Sequence, residues 1–176
     1  MFLAELSASR HWNARPHRSN LLNASAFRQA FALAIIRHPD GRFCIVEETD
    51  ERGWWVAGGG VEPGESLLEA ALREAREEAG IAVRLDGVLR IENSIFGSQM
   101  RLRAIFLASP VDPTAPLKSV ADAESVRAEW RTAAEIEELG KRLRGEEPLV
   151  WARYLERGGV VFPLSVLAEE GEPLPT

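Results

Sequence analysis

Residues 59–81 have the sequence GGVEPGESLLEAALREAREEAGI, and local signals within it predict a helix over residues 66–79. Ser66, followed three residues later by Glu69, is the pattern of a capping box, in which each side chain bonds the backbone N–H of the other residue. Gly80 suits the left-handed position after a helix C-terminus. At about 100° per residue, one apolar stripe is predicted to face the core, and it consists of Leu68, Ala71, Leu72, Ala75 and Ala79.

Three glutamates share another face of the predicted helix. Glu74, Glu77 and Glu78 stand at i, i+3 and i+4, where each like-charge pair costs roughly 0.2–0.5 kcal/mol. Oxygen-only clusters are what hard cations such as Mg²⁺ or Mn²⁺ bind, and a solvated acidic face is the alternative. The preceding glycines favour the metal site, because a glycine-rich loop can bring substrate phosphates close to the carboxylates. Gly59 and Gly60 are therefore candidate substrate-binding residues.

This stretch resembles the 23-residue signature of the Nudix (MutT-like) hydrolases. The signature runs Gly, five residues, Glu, seven residues, Arg-Glu, an aliphatic residue, any residue, Glu-Glu, any residue, Gly and an aliphatic residue. The sequence fills these positions in register with Gly59, Glu65, Arg73, Glu74, Glu77, Glu78, Gly80 and Ile81, and it departs softly with Ala75 at an aliphatic position. The resemblance implies that Glu74, Glu77 and Glu78 are catalytic and ligate Mg²⁺, with Mn²⁺ as a substitute. It implies supporting roles for Glu65 and Arg73.

The resemblance also implies the fold, an α/β (α+β) arrangement in which a mixed β-sheet is sandwiched between α-helices. The pattern of apolar runs and turns agrees, because strands and helices in mixed order suggest a sheet covered by helices. Strands are predicted at residues 26–37, 42–48, 83–93, 100–109, 126–130 and 160–162, and helical segments after Thr132 and at 149–156. We expect an N-terminal extension at residues 1–25, and a Nudix domain with a C-terminal helical segment and tail at residues 26–176.

Members of this family often take a general base from a glutamate in a loop beyond the signature. Glu124 follows a proline-containing loop and lies six residues before Trp130. It is the candidate for activating water, and an ordinary surface glutamate is the alternative. Glu92 and Glu129 are lesser candidates.

Two further residues are candidates for binding substrate. Trp54 and Trp55 are adjacent, so on a strand their side chains point to opposite faces. One of them is predicted to be core, and Trp55 is the candidate to stack on a nucleobase, with a second packing role as the alternative. Arg103 shares a strand face with Arg101 and is a candidate phosphate ligand, with a solvated strand edge as the alternative.

Composition bounds the partners and the compartment. A formal charge of −6 argues against a nucleic-acid polymer as ligand, although bound metal ions can let an acidic protein hold small phosphates. No apolar run approaches the roughly 18–20 residues that cross a bilayer, and the start lacks the layout of a secretory signal. The single cysteine, Cys44, is predicted to be a core residue. One cysteine cannot form an internal disulfide, which suits the reducing cytoplasm. Residues 1–25 could pack on a second subunit in a homodimer.

The reaction implied by the resemblance is hydrolysis of a phosphoanhydride bond. The substrate would be a nucleoside di- or triphosphate, or a nucleoside diphosphate linked to another moiety. Oxidised nucleotides such as 8-oxo-dGDP, ordinary nucleotides and ADP-ribose are candidates. The alternative is a non-catalytic module of the same fold that senses a nucleotide. Such members usually have broken signatures, whereas this sequence retains every acidic position, and catalysis is therefore the favoured hypothesis.

Overall fold

The computed structural model describes residues 29–97 and 99–173. Its strands are β1 (Gln29–Ile36), β2 (Phe43–Glu48), β3 (Trp54–Trp55), β4 (Ala57–Gly60), β5 (Val83–Phe96), β6 (Gln99–Pro110) and β7 (Ser125–Arg131). Its α-helices are α1 (Leu67–Ala79), α2 (Ala133–Leu139) and α3 (Glu147–Glu156), and short 3₁₀ turns occupy Gly140–Arg142 and Leu164–Val166. The predicted N-terminal extension, residues 1–25, lies outside the described residues.

The strands form two sheets, with orders β4-β1-β6-β5 and β3-β2-β7. In the larger sheet β1 and β6 are parallel, whereas β4 and β5 each pair antiparallel with their neighbour, so this sheet is mixed as predicted. The two sheets meet at one bridge between Arg37 and Phe43. Beyond that bridge β1 pairs with β4 and β6, whereas β2 pairs with β3 and β7. The two sheets are therefore not hydrogen-bonded to each other where the glycines of β4 lie.

Helices cover both faces of the sheets, and the alternation along β1 shows how. Ala32 and Ala34 pack with the small residues of α1, whereas Leu33 and Ile35 pack with α2 and α3. Successive side chains of a strand point to opposite faces, so one strand contributes to two cores. The predicted sheet between helices is confirmed. None of the helices in the described ranges is long and apolar enough to cross a bilayer.

The predicted helix over residues 66–79 is confirmed as α1. Ser66 is its N-cap, both halves of the capping box are present, and Gly80 follows with φ 77°. Three members of the predicted stripe, Ala71, Ala75 and Ala79, are buried, and the other two, Leu68 and Leu72, are partly buried against the same core. The buried face also includes Ala70, Glu74 and Glu78, which were not predicted. Tertiary packing therefore orients α1 so that two of the signature glutamates, Glu74 and Glu78, are buried.

Other differences from the sequence predictions are small. Residues 160–162 do not form a strand, and only Phe162 bridges Val88 of β5. The glycine run before α1, predicted as a loop, is strand β4. Cys44 is 1% exposed, as predicted for a core residue. Its burial raises the pKa of its thiol.

Candidate active site

A cavity of about 640 Å³ opens between β4, the start of β1 and the segment before α3. Among the sequence-predicted residues, the structure brings seven together in its lining, and these are Glu74, Glu78, Glu124, Gly59, Gly60, Arg103 and Trp55. Glu77, Glu65 and Arg73 do not line it. They lie beside it on the outer side of α1, where Arg73 joins them.

Small residues set how closely α1 approaches β4. A Cβ atom built on Gly59 would lie 2.3 Å from the Oε1 atom of Glu74, so only glycine leaves room for that carboxylate. The next contact is a hydrogen bond of 2.8 Å, which the backbone N–H of Gly58 donates to the Oε2 atom of Glu78. The two buried glutamates of α1 are therefore packed directly against the glycine strand.

Arg73 is the hub of the outer part of the site. Its Nη1 atom donates to Glu74 Oε1 and to Glu77 Oε2, both at 2.8 Å. Its Nε atom donates to Glu65 Oε1 at 2.8 Å, and its Nη2 atom donates to the carbonyl of Gly60 at 2.9 Å. One guanidinium thus ties the helix to the loop before it and to β4, which is the geometry expected of a supporting residue.

Burial dominates the electrostatics of the two inner carboxylates. It raises the pKa of Glu78 to about 8, against the hydrogen bond from Gly58, and the charges of Glu74, Glu48 and Glu124 raise it further. Burial also raises the pKa of Glu74, where hydrogen bonding to Arg73 acts in the opposite direction. Both directions follow from desolvation and from neighbouring like charges, which disfavour the ionised form. Without a bound cation, it is therefore unfavourable for both Glu74 and Glu78 to be ionised at the same time.

The chemistry of this donor set fits a hard divalent cation. All candidate ligands are carboxylate oxygens, which Mg²⁺ and Mn²⁺ prefer, and positive charge would offset the burial that raises the pKa values of Glu74 and Glu78. Within residues 29–97 and 99–173, no three acidic, histidine or cysteine side chains converge closely enough to form a finished metal site. Arg73 draws Glu74 and Glu77 outward, while Gly58 holds Glu78 against β4. Binding would therefore require these side chains to change partners.

Glu48 is a residue of the cavity that sequence reasoning missed. It ends β2, is 5% exposed and lines the cavity beside Glu78. Its Oε1 atom accepts a bond of 2.8 Å from Arg144, whereas its Oε2 atom is buried and has no hydrogen-bond partner among the described residues. The available signal was a carboxylate at the end of an otherwise apolar strand, FCIVEE, just before the loop that leads to the glycines.

The three candidates for the general base have different surroundings. Glu124 is exposed and lines the cavity. Glu92 instead accepts a bond of 2.7 Å from Arg103, and Glu129 one of 2.5 Å from Arg131. Neither Glu92 nor Glu129 is among the lining residues. Of the three, Glu124 is the one that faces the buried carboxylates of α1.

The two candidate substrate-binding side chains line the cavity but already have partners. Trp55 is 6% exposed and packs edge-on against Trp151, with ring centroids 6.0 Å apart. Arg103 is ion-paired with Glu92, and its Nη2 atom lies 2.6 Å from Glu147 Oε1. Arg101 lies nearby over the ring of Phe31, at 4.6 Å from its centroid, and has no ion pair within the described part of the chain.

Known proteins resemble this chain both in sequence and in fold. A sequence model of the NUDIX domain matches residues 27–151. The chain belongs to the Nudix hydrolase family. A solved Nudix hydrolase from Nitrosomonas europaea covers 82% of this chain and 99% of its own, with a TM-score of 0.64 and 27% identity.

Curated relatives match parts of this Nudix chain. The human 8-oxo-dGDP phosphatase NUDT18 is 33% identical over 101 residues, which is 56% of this chain and 30% of that protein. The nucleoside triphosphatase NudI of Escherichia coli K12 is 41% identical over 58 residues, which is 30% of this chain and 41% of that protein. The chain thus spans less than half the length of both curated relatives.

Proposed function

We propose that this Nudix protein is a Mg²⁺-dependent hydrolase that cleaves the phosphoanhydride bond of a nucleotide. The observation that carries the proposal is one cavity in which two buried signature glutamates, Glu74 and Glu78, meet the loop glutamate Glu124 beside a strand of glycines. Burying two carboxylates whose pKa values are raised costs stability, and groups perturbed in this way cluster at functional sites. Function therefore explains an arrangement that folding alone would avoid.

The protein's own residues divide the work. Glu74, Glu77 and Glu78 would hold the divalent cation, with Arg73 and Glu65 keeping the helix and loop in place. When bound, the cation supplies electrophilic stabilisation of the phosphoryl oxygens and lowers the pKa of nearby water. Glu124 would accept a proton from the attacking water at a carboxylate oxygen. Attack at phosphorus in line with the bridging oxygen then expels the neighbouring phosphate.

The substrate class is proposed at two levels. The named activities of the curated relatives, on 8-oxo-dGDP and on nucleoside triphosphates, favour nucleotides. Arg101 and the ring of Phe31 also line the cavity, and they add a cationic and an apolar group that suit the remainder of such a substrate. Oxidised nucleotides such as 8-oxo-dGDP, ordinary nucleoside di- and triphosphates and ADP-ribose remain the candidates. A cytoplasmic location and a homodimer stay predictions.

Phosphate release from a nucleotide panel tests the proposal. The purified protein is incubated with each candidate in millimolar Mg²⁺, in Mn²⁺ or in EDTA. Inorganic phosphate is measured directly, and the nucleoside monophosphate product is separated from its substrate by anion-exchange chromatography. We expect turnover of at least one candidate with metal and none in EDTA. Tight nucleotide binding without turnover by the wild-type chain would instead support the non-catalytic sensing module.

A further inference from the structure

The C-terminal turn of α1 is held by the loop between β6 and β7 and by the first residue of β7. Lys118 donates from Nζ to the carbonyl of Glu77 at 2.8 Å, and its backbone N–H donates to the carbonyl of Ala79 at 3.0 Å. Ser125, which is fully buried, donates from its hydroxyl to the carbonyl of Glu78 at 2.8 Å. Carbonyls in the last turn of a helix have no partner within the helix. Three successive carbonyls are therefore satisfied, two by the loop and one by the start of β7.

The same lysine organises the turn that carries Glu124. Lys118 forms an ion pair with Asp122. The Oδ1 atom of Asp122 accepts the backbone N–H of Glu124 at 2.9 Å and that of Ser125 at 3.2 Å. These bonds, led by the one from Lys118, lower the pKa of Asp122 to about 2. The turn is therefore held by an ionised carboxylate at neutral pH.

We propose that Lys118 and Asp122 are positioning residues, which hold Glu124 in register with the carboxylates at the end of α1. The lysine bonds the backbone of Glu77 and the aspartate bonds the backbone of Glu124. A chain of two residues thus fixes the distance between the helix-borne and the loop-borne carboxylates. The inference rests on the proposed function, in which Glu124 acts as the base.

The close packing of the loop explains why this arrangement has little freedom. The Lys118 side chain is only 9% exposed, and a buried ammonium is costly unless its donors are satisfied. A Cβ atom on Gly80 would lie 2.9 Å from the backbone nitrogen of Lys118, so the loop lies directly on the helix end. The positive charge of Lys118 also lies at the C-terminus of α1, where the helix dipole favours a cation.

Asp122 offers the cleaner substitution, because its side chain is 55% exposed whereas Lys118 is buried. Asp112 supplies a matched control in the same loop, since its Oδ1 atom likewise accepts the N–H of the residue two ahead, Thr114, at 2.8 Å. No side-chain bond from Asp112 to α1 occurs in the described structure. Asp122→Ala, Asp122→Asn and Asp112→Ala are therefore compared, alone and combined with Glu124→Gln.

We expect Asp122→Ala to lower kcat about ten- to hundredfold, the scale of a small misplacement of a catalytic group. KM should barely change. The loss should disappear in the Glu124→Gln background, because a residue that acts through another shows non-additive effects. Asp122→Asn should rescue part of the rate, since its amide oxygen can still accept both N–H groups. Asp112→Ala should leave kcat unchanged.

Hydrogen exchange supplies a readout that needs no turnover. The amides of Glu124 and Ser125 should exchange faster in Asp122→Ala than in Asp112→Ala or wild type, and Asp122→Asn should restore protection. Equal exchange in all variants would overturn the inference, as would a kcat loss that adds to that of Glu124→Gln, or a Glu124→Gln variant with full activity. A wild-type protein that turns over no nucleotide contradicts the proposed function instead, and exchange then decides whether Asp122 orders the turn.

Discussion

Two regions bring carboxylates to the cavity, and they are held in different ways. The side-chain carboxylates of the α1 glutamates are bonded within their own stretch of chain, by Arg73 and by the glycine strand β4. Glu124 is fixed by bonds that join distant segments, because Lys118 lies 41 residues from Glu77. The helix-borne pair is buried and the loop-borne residue is exposed. We therefore expect the carboxylates of α1 to bind the cation and the carboxylate of Glu124 to accept the proton.

The largest expected effect is on the loop side. Glu124→Gln should lower kcat by roughly 10²–10⁴, the usual contribution of a positioned general base, while metal affinity measured by titration barely changes. Glu92→Gln and Glu129→Gln are the controls, since both carboxylates are already paired with arginines. Full activity of Glu124→Gln together with collapse of one control would move the assignment to that residue.

On the helix side, Glu78→Gln should lower activity by about a hundredfold or more, because a neutral amide replaces a charged candidate ligand. Above about pH 8, where Glu78 is ionised in the folded state, the metal-free variant should stay folded with similar or slightly higher stability, because one member of a repelling cluster is removed. Circular dichroism and thermal melting check the fold. Retention of more than about a tenth of wild-type turnover would exclude an essential role for this glutamate.

The packing of the helix against β4 gives a finer test. Gly59→Ala should weaken Mg²⁺ or Mn²⁺ binding by about ten- to hundredfold, the typical cost of disturbing a group that orients a metal ligand, because the new methyl group would displace the Glu74 carboxylate. Gly60→Ala is the comparison, since a Cβ atom there meets nothing within 4 Å. Isothermal titration measures both, and equal affinities would show that Glu74 has room to move.

The smallest effect concerns stability and pH. The pKa of Glu78 is raised from an ordinary 4.5 to about 8 in the folded state, so the folded state holds the proton more tightly between those values. Its contribution to the free energy of unfolding is therefore present at low pH and is lost as pH rises through about 8. In EDTA, the melting temperature should fall by about 3 °C or more from this group across that window, and Glu78→Gln should lack that part.

Added Mg²⁺ supplies the complementary measurement. Because a ligand that binds only the folded state stabilises it by mass action, saturating metal should raise the melting temperature and flatten this pH dependence. An unchanged melting curve, together with no binding by titration, would count against a metal site at these carboxylates.

How much the sequence could predict depends on the range of the interactions. The start and end of α1 followed from Ser66, Glu69 and Gly80, because capping is local. Most of the core-facing stripe followed too, but the burial of Glu74 and Glu78 did not, since the approach of β4 decides that these carboxylates lie inward. Glu48 and the Lys118–Asp122 pair were missed for a related reason. Their roles come from segments that meet only in the folded chain, and each alone resembles an ordinary surface residue.

The single cysteine has a practical consequence. Cys44 lies in the core shared by β1, β2 and α1, and both its exposure of 1% and its raised thiol pKa withhold it from reagents in the native state. An alkylating agent can reach it only when the protein opens, and buried groups become available through such opening reactions. The rate of thiol labelling therefore reports how often this core opens. With one cysteine in the whole sequence, the signal arises from one place and needs no engineered probe.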